Sequence, residues 1–566
     1  MRAALLVLLA LAGCAGPGPS LEGRTTVLFF IGTQCPASNR YNARMIDLAR
    51  DFPGVELRGV NSNRNETEAE VAAHARRAGF PFRVEKDQGH ALADRFHVET
   101  TPTACLIDVR GELRYRGRID DDLDETRVIS RDLRDAIEAV LADRPVGRPE
   151  TPTSGCRIKR AAAGPARGEV TYARHAASIL NRACLRCHRR GQIGPFSLEG
   201  YEDASAWAPE IKKYVASRRM PPWKPVSRDV AYANERRLSD EEIRVLSDWA
   251  DGGAPPGDLR QAPPAPNFPD GWALGPPDLI LEPPADYEVE ARGADVYRAF
   301  VLPTGLSEDR YVTAAEFKPG TPAVVHHIMT YIDASGTGRR KDEADPGIGF
   351  DSQGTGPGFF PAGDLGGWGP GMQVRALPPG VGRLLPKGAD LVMEVHYHKS
   401  GRVERDRTRV GLYFAKGPVT KKVRSNVVLD MTFEIPAGAA RHPVTSVWGV
   451  PEDLHAHAVI PHMHLLGREI DVTARFKDGT RKTLVRIDDW DFNWQESYFF
   501  EEPVALPRGT LVVVTSWFDN RAENPRNPNH PPRPVRFGVN TTDEMSVAYV
   551  AFTRDIEDLT KPKKDE

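Results

Sequence analysis

The sequence predicts a multidomain protein, with an α/β domain first, a mainly α-helical module second and two all-β sandwiches to the end. A change of apolar periodicity is the first sign. Between residues 24 and 145 short buried runs alternate with stretches of helical repeat, whereas from 288 to 553 short alternating runs divided by turn residues take over, with hardly any helical repeat. Punctuation is the second: Pro-rich sequence at 149–168 and 258–284 falls where the pattern changes, and such linkers hold domains apart while letting them reorient. Length agrees, because 566 residues at about 150 per domain make three or four domains. The boundaries read as 1–20, 21–148, 149–168, 169–257, 258–284, 285–430 and 431–566.

Composition narrows the function. A 40% hydrophobic content is ample for a core in each domain. With 75 basic and 78 acidic residues the net charge is -3 and no basic stripe appears, which excludes nucleic acid as a partner. The six cysteines, at 14, 35, 105, 156, 184 and 187, make no disulfide framework and leave everything after Cys187 without a thiol.

In segment 1–20, MRAALLVLLALAGCAG has one Arg and then ten apolar residues, too short to span a bilayer and right for the apolar core of an export signal. Leu11-Ala12-Gly13-Cys14 resembles the bacterial lipobox, which implies that Cys14 is diacylated and becomes the first residue. Export to the periplasmic face of a bacterial outer membrane, with attachment through lipid alone, is therefore expected.

In 21–148 a buried strand is expected at 25–31, running into GTQCPASNRYNARMIDLARDF, where Cys35 ends the strand and Pro36 opens a helix. Further strands are expected at 56–61, 104–108 and 113–117, and helices at 66–77 and 125–141. That order, with Thr101-Pro102-Thr103 before a strand, resembles the thioredoxin fold and its cis-proline loop. A helix start lowers a thiol pKa and favours thiolate chemistry at Cys35. Ser38 stands where the second Cys of a Cys-x-x-Cys motif would be, and Gly32 where peroxiredoxins carry the Thr of Thr-x-x-Cys. Cys105 is either the thiol that resolves an oxidised Cys35 or a small hydrophobe in its strand. Cys156, in the linker, carries no evident role.

In 169–257 the run Cys184-Leu185-Arg186-Cys187-His188 is Cys-x-x-Cys-His, the attachment motif of c-type haem. Two thiols at a helix end would bond the haem, and the adjoining His188 would reach its iron. Met220, in SRRMPPWKP, is the only Met between Met45 and Met329 and so the candidate second axial ligand, with His175 the alternative. A helix at 239–251, opened by a capping box of Ser239 and Glu242, closes the module. The prolyl loop bearing a Met and this last helix resemble small cytochromes c. An external donor to the haem is then expected.

Nine of the fifteen histidines fall between 326 and 464. Each of His326-His327, His396 and His462-Met463-His464 lies in an alternating apolar run, as does the late Met545. Residues two apart on a strand share a face, so His462 and His464 can serve one metal. The order His-His, His-Tyr in MEVHYH, His-x-His followed by Leu-Gly, then Asp-Glu-Met resembles the copper type II monooxygenases. That resemblance implies two copper ions: one on His326, His327 and His396 that relays electrons, one on His462, His464 and Met545 that activates O2. His398, His455 and His457 have no counterpart among those ligands. The family's disulfides are missing.

The resemblance further implies hydroxylation of a small substrate's C–H bond by O2; its relatives draw single electrons from ascorbate, and in this chain the tethered haem module is expected to replace that reductant. An exported copper and haem electron carrier is the alternative, and a zinc hydrolase a third reading that lacks a nearby carboxylate base. Where peptide-amidating relatives grip a carboxylate with Arg, Asn and Tyr, this chain has Ile460, Val547 and Tyr549, so a neutral substrate is expected, unless an Arg from elsewhere, such as Arg468 or Arg375, substitutes.

Overall fold

The computed structural model describes residues 21–561 apart from 161–167 and positions 191, 193, 269, 270, 292, 294, 355, 370, 371, 373, 402, 493, 539 and 541. Cys14 and the segment read as an export signal lie outside the described residues. No helix among the described residues is long and apolar enough to cross a membrane. Two compact units result, one holding residues up to 160 with 195–197 and 202–207, the other holding the rest.

The first unit is thioredoxin-like. Its sheet runs in the order Val84–Lys86, Glu56–Asn61, Thr26–Phe30, Thr103–Ile107, Leu113–Gly117, parallel across the first three strands and antiparallel beyond. The central strand TVLFF is buried on both faces. Val27 and Phe29 meet Met45, Leu133 and Ile137 on one side, while Leu28 and Phe30 meet Phe96 and Cys105 on the other. The helix expected at 66–77 starts two residues later, as Glu68–Ala78, because Thr67 and Glu70 form a capping box. Glu66 turns inward instead and accepts the Thr33 and Gln34 N–H groups at 2.9 Å. The helix expected from 125 divides into a turn at Glu125–Arg127 and the helix Asp132–Leu141, since Asp121 takes the N–H groups of Ile129 and Ser130 between them.

Residues 149–160 depart from the linker expectation. Arg116 pairs with Glu150, Thr101 with Cys156, and the Ile158 N–H bonds Glu99 O at 2.8 Å with its side chain buried. One bridge at the Leu113–Gly117 strand and a separate two-stranded ladder with Thr100–Thr101 hold this segment on the domain.

In the second unit the chain enters through Tyr172–Ala176 and Ala177–Ala183, and the helices Ala208–Ala216 and Asp240–Asp251 pack together, Ser239 and Glu242 capping the latter. Between those two helices, residues 221–237 form a strap built into the C-terminal sheets. Trp223 and Tyr232 are buried in the core of those sheets, and Tyr232 Oη donates to Leu484 O at 2.7 Å. The expected free reorientation of the helical module is thus overturned: Pro-rich sequence carrying two aromatic anchors docks. The 258–284 segment docks likewise at its far end, where Leu279–Leu281 pairs with Arg409–Phe414 and the Ala273 N–H bonds the Glu316 carboxylate.

Two pairs of antiparallel sheets complete the unit. In the first, Val296–Pro303, Val325–Asp333 and Asp390–Tyr397 face Arg310–Lys318, Val381–Leu385 and Arg409–Phe414 over one apolar core. In the second, Leu454–His462, Tyr498–Leu506 and Val547–Arg554 face His442–Gly449, Gly467–Arg475, Arg481–Ile487 and Leu511–Phe518 over another. Packing alone closes both. The boundary expected at 430 moves to about 423, because Arg424–Leu429 pairs with Val547–Arg554. One helix, Thr337–Ala344, was not expected; Asp333 nucleates it by accepting the Gly338 N–H at 2.6 Å.

Candidate functional site

Neighbouring strands build the first cluster. His327 and His396 stand directly opposite on Val325–Asp333 and Asp390–Tyr397, and a bulge between Val325 and His327 adds His326 as the extra residue. Strict alternation would send His326 and His327 to opposite faces; the bulge brings both to one. Nδ1 of His326 lies 3.1 Å from Nδ1 of His327, which lies 3.4 Å from Nδ1 of His396. All three offer ligand atoms within 4.8 Å of one another, a spacing that suits one metal ion. His396 donates Nε2–H to Asp295 at 2.9 Å, which fixes the tautomer and turns its Nδ1 lone pair into the cluster. Burial works against the Asp295 charge, yet the bonds from His396 and His398 hold it well below the usual carboxylate range. Burial, and then the charges of His396, His326 and His462, hold His327 neutral.

Leu454–His462 and the turn after it build the second. The rings of His462 and His464 lie 5.1 Å apart and nearly perpendicular. His462 Nδ1 is engaged by Gln495 Oε1 at 2.5 Å and His464 Nδ1 by Asp543 O at 3.1 Å, leaving Nε2 of each for a metal. Burial, then the charge of His464, lowers His462 to about 4, and burial lowers His464 as well, so both remain neutral ligands. Glu544, fully buried, accepts the N–H groups of His464 (2.9 Å), Leu466 (2.5 Å) and Met545 (3.1 Å) and so ties the two ligand segments together. His327 from the first cluster, His462 and His464 from the second, and Met545 line one cleft of about 1770 Å³, which Ile460, Tyr549 and Arg375 also line.

Other predicted residues fall elsewhere. His398 bonds Asp295, His455 bonds Asp555 and His457 bonds Thr553. Arg468 is held by Asn524 and Asp519. Val547 is buried opposite His462. Cys184, Cys187 and His188 follow one another round the turn that ends Ala177–Ala183, with the His188 N–H on Cys184 O at 2.9 Å. A Cβ at Gly194 would come within 2.8 Å of His188 Nδ1, so only glycine lets the chain pass this close to the buried imidazole. Burial pushes the Cys184 thiol up to about 12, and raises Cys187 against the charges of Arg236, Arg186 and Arg189. Met220 sits 40% exposed in the turn after Ala208–Ala216, and His175 Nδ1 takes the Thr171 N–H.

Cys35 is buried at the start of its helix, 3.2 Å from Thr101 O in the cis Thr101–Pro102 loop. Cys105, offered as its resolving thiol, is not placed for that role. It pairs with Leu28 in the sheet, faces the Leu28 and Phe30 core, and burial pushes its thiol up to about 12. The side chain bonded to Cys35 is Cys156. Sequence reasoning also passed over Asp295, Gln495 and Glu544; only Glu544, beside Met545, had a local signal.

Residues 445–561 match the family model of the copper type II ascorbate-dependent monooxygenase, C-terminal domain, and residues 19–116 that of the AhpC/TSA family. The chain resembles DBH-like monooxygenase protein 1 of Gallus gallus, 25% identical over 205 residues, 33% of this chain and 32% of that protein. The Homo sapiens protein of that name is 33% identical over 104 residues, 18% of this chain and 15% of it. Thiol-disulfide oxidoreductase ResA of Halalkalibacterium halodurans is 35% identical over 95 residues, 16% of this chain and 53% of that protein. The chain thus spans about a third of the first relative's length and about half of ResA. Among solved structures, an uncharacterized conserved protein from Geobacillus kaustophilus is 27% identical at a TM-score of 0.24, covering 25% of this chain and 80% of that one. A thioredoxin-like domain is therefore joined to a copper monooxygenase-like domain, and copper is the metal this match implies.

Proposed function

We propose that this protein is an exported copper-dependent monooxygenase that hydroxylates a C–H bond of a small neutral molecule, its electrons entering through a c-type haem on the 169–257 module. The reading rests on two histidine clusters, from which His327, His462 and His464 line one cleft, three of the five rings having their other nitrogen already engaged. His326, His327 and His396 would hold one copper, and His462, His464 and Met545 the other. Three imidazoles accommodate both Cu(I) and Cu(II), whereas a thioether favours Cu(I). Bound copper supplies one-electron chemistry that places one atom of O2 in the substrate and the other in water.

Asp295, Gln495 and the Asp543 carbonyl orient the imidazoles, and Glu544 fixes Met545 against the His462–His464 turn. Cys184 and Cys187 would bond the haem and His188 ligate it, with Met220 or His175 on the far side; an export signal ending at a lipidated Cys14 suits such a protein. For the substrate, Ile460 and Ala458 give the cleft an apolar wall and Tyr549 one hydroxyl. Arg383 and Arg424 reach the cleft already paired with Asp364 and Glu557, whereas Arg375, bonded to Ala233 O, is the guanidinium lining the cleft that an ionised carboxylate could still meet.

Anaerobically reduced, copper-loaded protein given labelled O2 and neutral alkyl or aryl candidates tests the reading. Label in a hydroxylated product is expected, and glycine-extended peptides should turn over more slowly than neutral compounds. Label in water alone would replace the hydroxylase with an electron carrier, and peptide turnover at a matching rate would remove the neutral-substrate assignment.

A further inference from the structure

The 149–160 edge brings a second thiol to Cys35. Thr100–Thr101, which leads into the cis-proline loop, pairs antiparallel with Cys156–Arg157, and the register sets Thr101 against Cys156. Cys35 Sγ lies 3.2 Å from the carbonyl of that same Thr101, and its side chain is hydrogen-bonded to that of Cys156. The approach depends on the preceding residue, since a Cβ at Gly155 would fall 2.0 Å from Thr101 O. Anchors on both sides hold the segment in place. Thr153 bonds Thr100 at 2.7 Å, the Ile158 N–H bonds Glu99 O at 2.8 Å, and the Lys159 N–H bonds Asn63 Oδ1 at 2.8 Å. Meanwhile the position that a Cys-x-x-Cys motif would use is filled by Ser38, fully buried, its hydroxyl accepting the Gly32 N–H at 3.3 Å. Cys105 faces away into the apolar core.

We propose that Cys35 and Cys156 form a redox-active dithiol/disulfide pair, assembled from the cis-proline loop and the domain's last edge, that exchanges two electrons with an external protein disulfide. One thiolate of the pair attacks a sulfur of the external RS–SR′, forming a mixed disulfide and expelling R′S⁻. The other thiolate then displaces RS⁻ and closes the Cys35–Cys156 bond. One S–S bond breaks and one forms, two electrons pass to the partner sulfurs, and the two thiol protons go to the released thiolates. An external dithiol reverses the sequence and resets the pair. Electrostatics favour the exchange: the hydrogen bond from Cys156, against burial, lowers the Cys35 thiol to about 6, so a thiolate is available at neutral pH. Nothing in this chemistry draws on the copper reading.

The experiment is peptide mapping of the full-length protein after brief oxidation with oxidised glutathione, acid quench and alkylation, without reductant. A Cys35–Cys156 linked peptide is expected, lost on dithiothreitol and retained in Cys105→Ser. Insulin disulfide reduction driven by dithiothreitol should fall by about tenfold or more in both Cys156→Ser and Cys156→Ala, because neither variant has the second thiol that releases the mixed disulfide. A Cys35–Cys105 peptide, or a glutathione adduct on Cys35 as persistent in the wild type as in Cys156→Ser, would overturn the assignment. Because the mapping uses unmodified protein, a variant that fails to fold leaves the decision intact.

Discussion

Arg236→Ala separates a docked strap from a loose one. The guanidinium of Arg236 pairs with the Glu496 carboxylate, their side chains 14% and 3% exposed, and Asn234 Nδ2 supplies Glu496 with a further bond at 3.1 Å. Truncating one partner of such a pair strands a buried charge and costs about 3–5 kcal/mol. With Asn234 still in place the lower end applies, about 3 kcal/mol, or roughly a hundredfold in an opening equilibrium. Hydrogen exchange reads this at the strap's own amides, Val226 on Arg486 O and Ala233 on Phe499 O, and at Glu501 on Ala231 O. The loss also has a sign in pH. Burial already holds Glu496 above the ordinary carboxylate range, and removing Arg236 raises it further. A group raised on folding contributes stability that is full below its unfolded pKa and lost as pH rises through its folded pKa, so the deficit should be larger at alkaline than at acidic pH. Replacing both residues, Arg236→Met with Glu496→Leu, should restore most of the protection. Protection reduced less than threefold, or equally at acidic and alkaline pH, would refute the argument.

Covalent haem should survive denaturing electrophoresis and vanish from Cys184→Ala with Cys187→Ala; retained haem staining would exclude the attachment site. His326→Ala and His462→Ala should each leave about one copper per chain, because their ligands come from different sheet pairs, and loss of both metals from either variant would mean a single shared site. Thiolate absorbance near 240 nm should titrate with a midpoint of about 6 in the wild type, appearing as pH rises, and that step should be absent from Cys35→Ser.

What was legible in the sequence was local. Strand 56–61, strand 113–117 and the capping box at Ser239 and Glu242 each depend on residues within a turn or a pleat of one another, and each stands where its residues predict. His326 and His327 were legible as ligands only through a family's pattern, since alternation places them on opposite faces and nothing local announces the bulge. Asp295, about a hundred residues before His396, was beyond local reading, as was Cys156, which reaches Cys35 only because the chain returns to the cis-proline loop. The 258–284 linker misled for a different reason. Proline content reads as extension, but Trp272 in that linker lies against Gly411, and in the preceding module's prolyl segment Trp223 and Tyr232 bury their rings in the C-terminal core. Aromatic residues inside Pro-rich sequence were the better signal.

That docking changes how electron supply to the metal clusters should be understood. A flexible tether would set the donor's effective concentration at about millimolar, with each transfer waiting on an encounter. Here the strap continues from the helical module into the sheets that carry the second cluster, and the charges of Arg236 and Glu496 already act on Cys187. Glu496 in turn adjoins Gln495, the residue that holds His462, and both face His326 and His327 across a narrow recess. Under the proposed function, the attachment motif and both clusters are therefore parts of one packed body, and transfer does not wait on diffusion. Haem reoxidation by the copper centres should then be insensitive to added viscogen, and a rate that fell in proportion to viscosity would return the module to a tether.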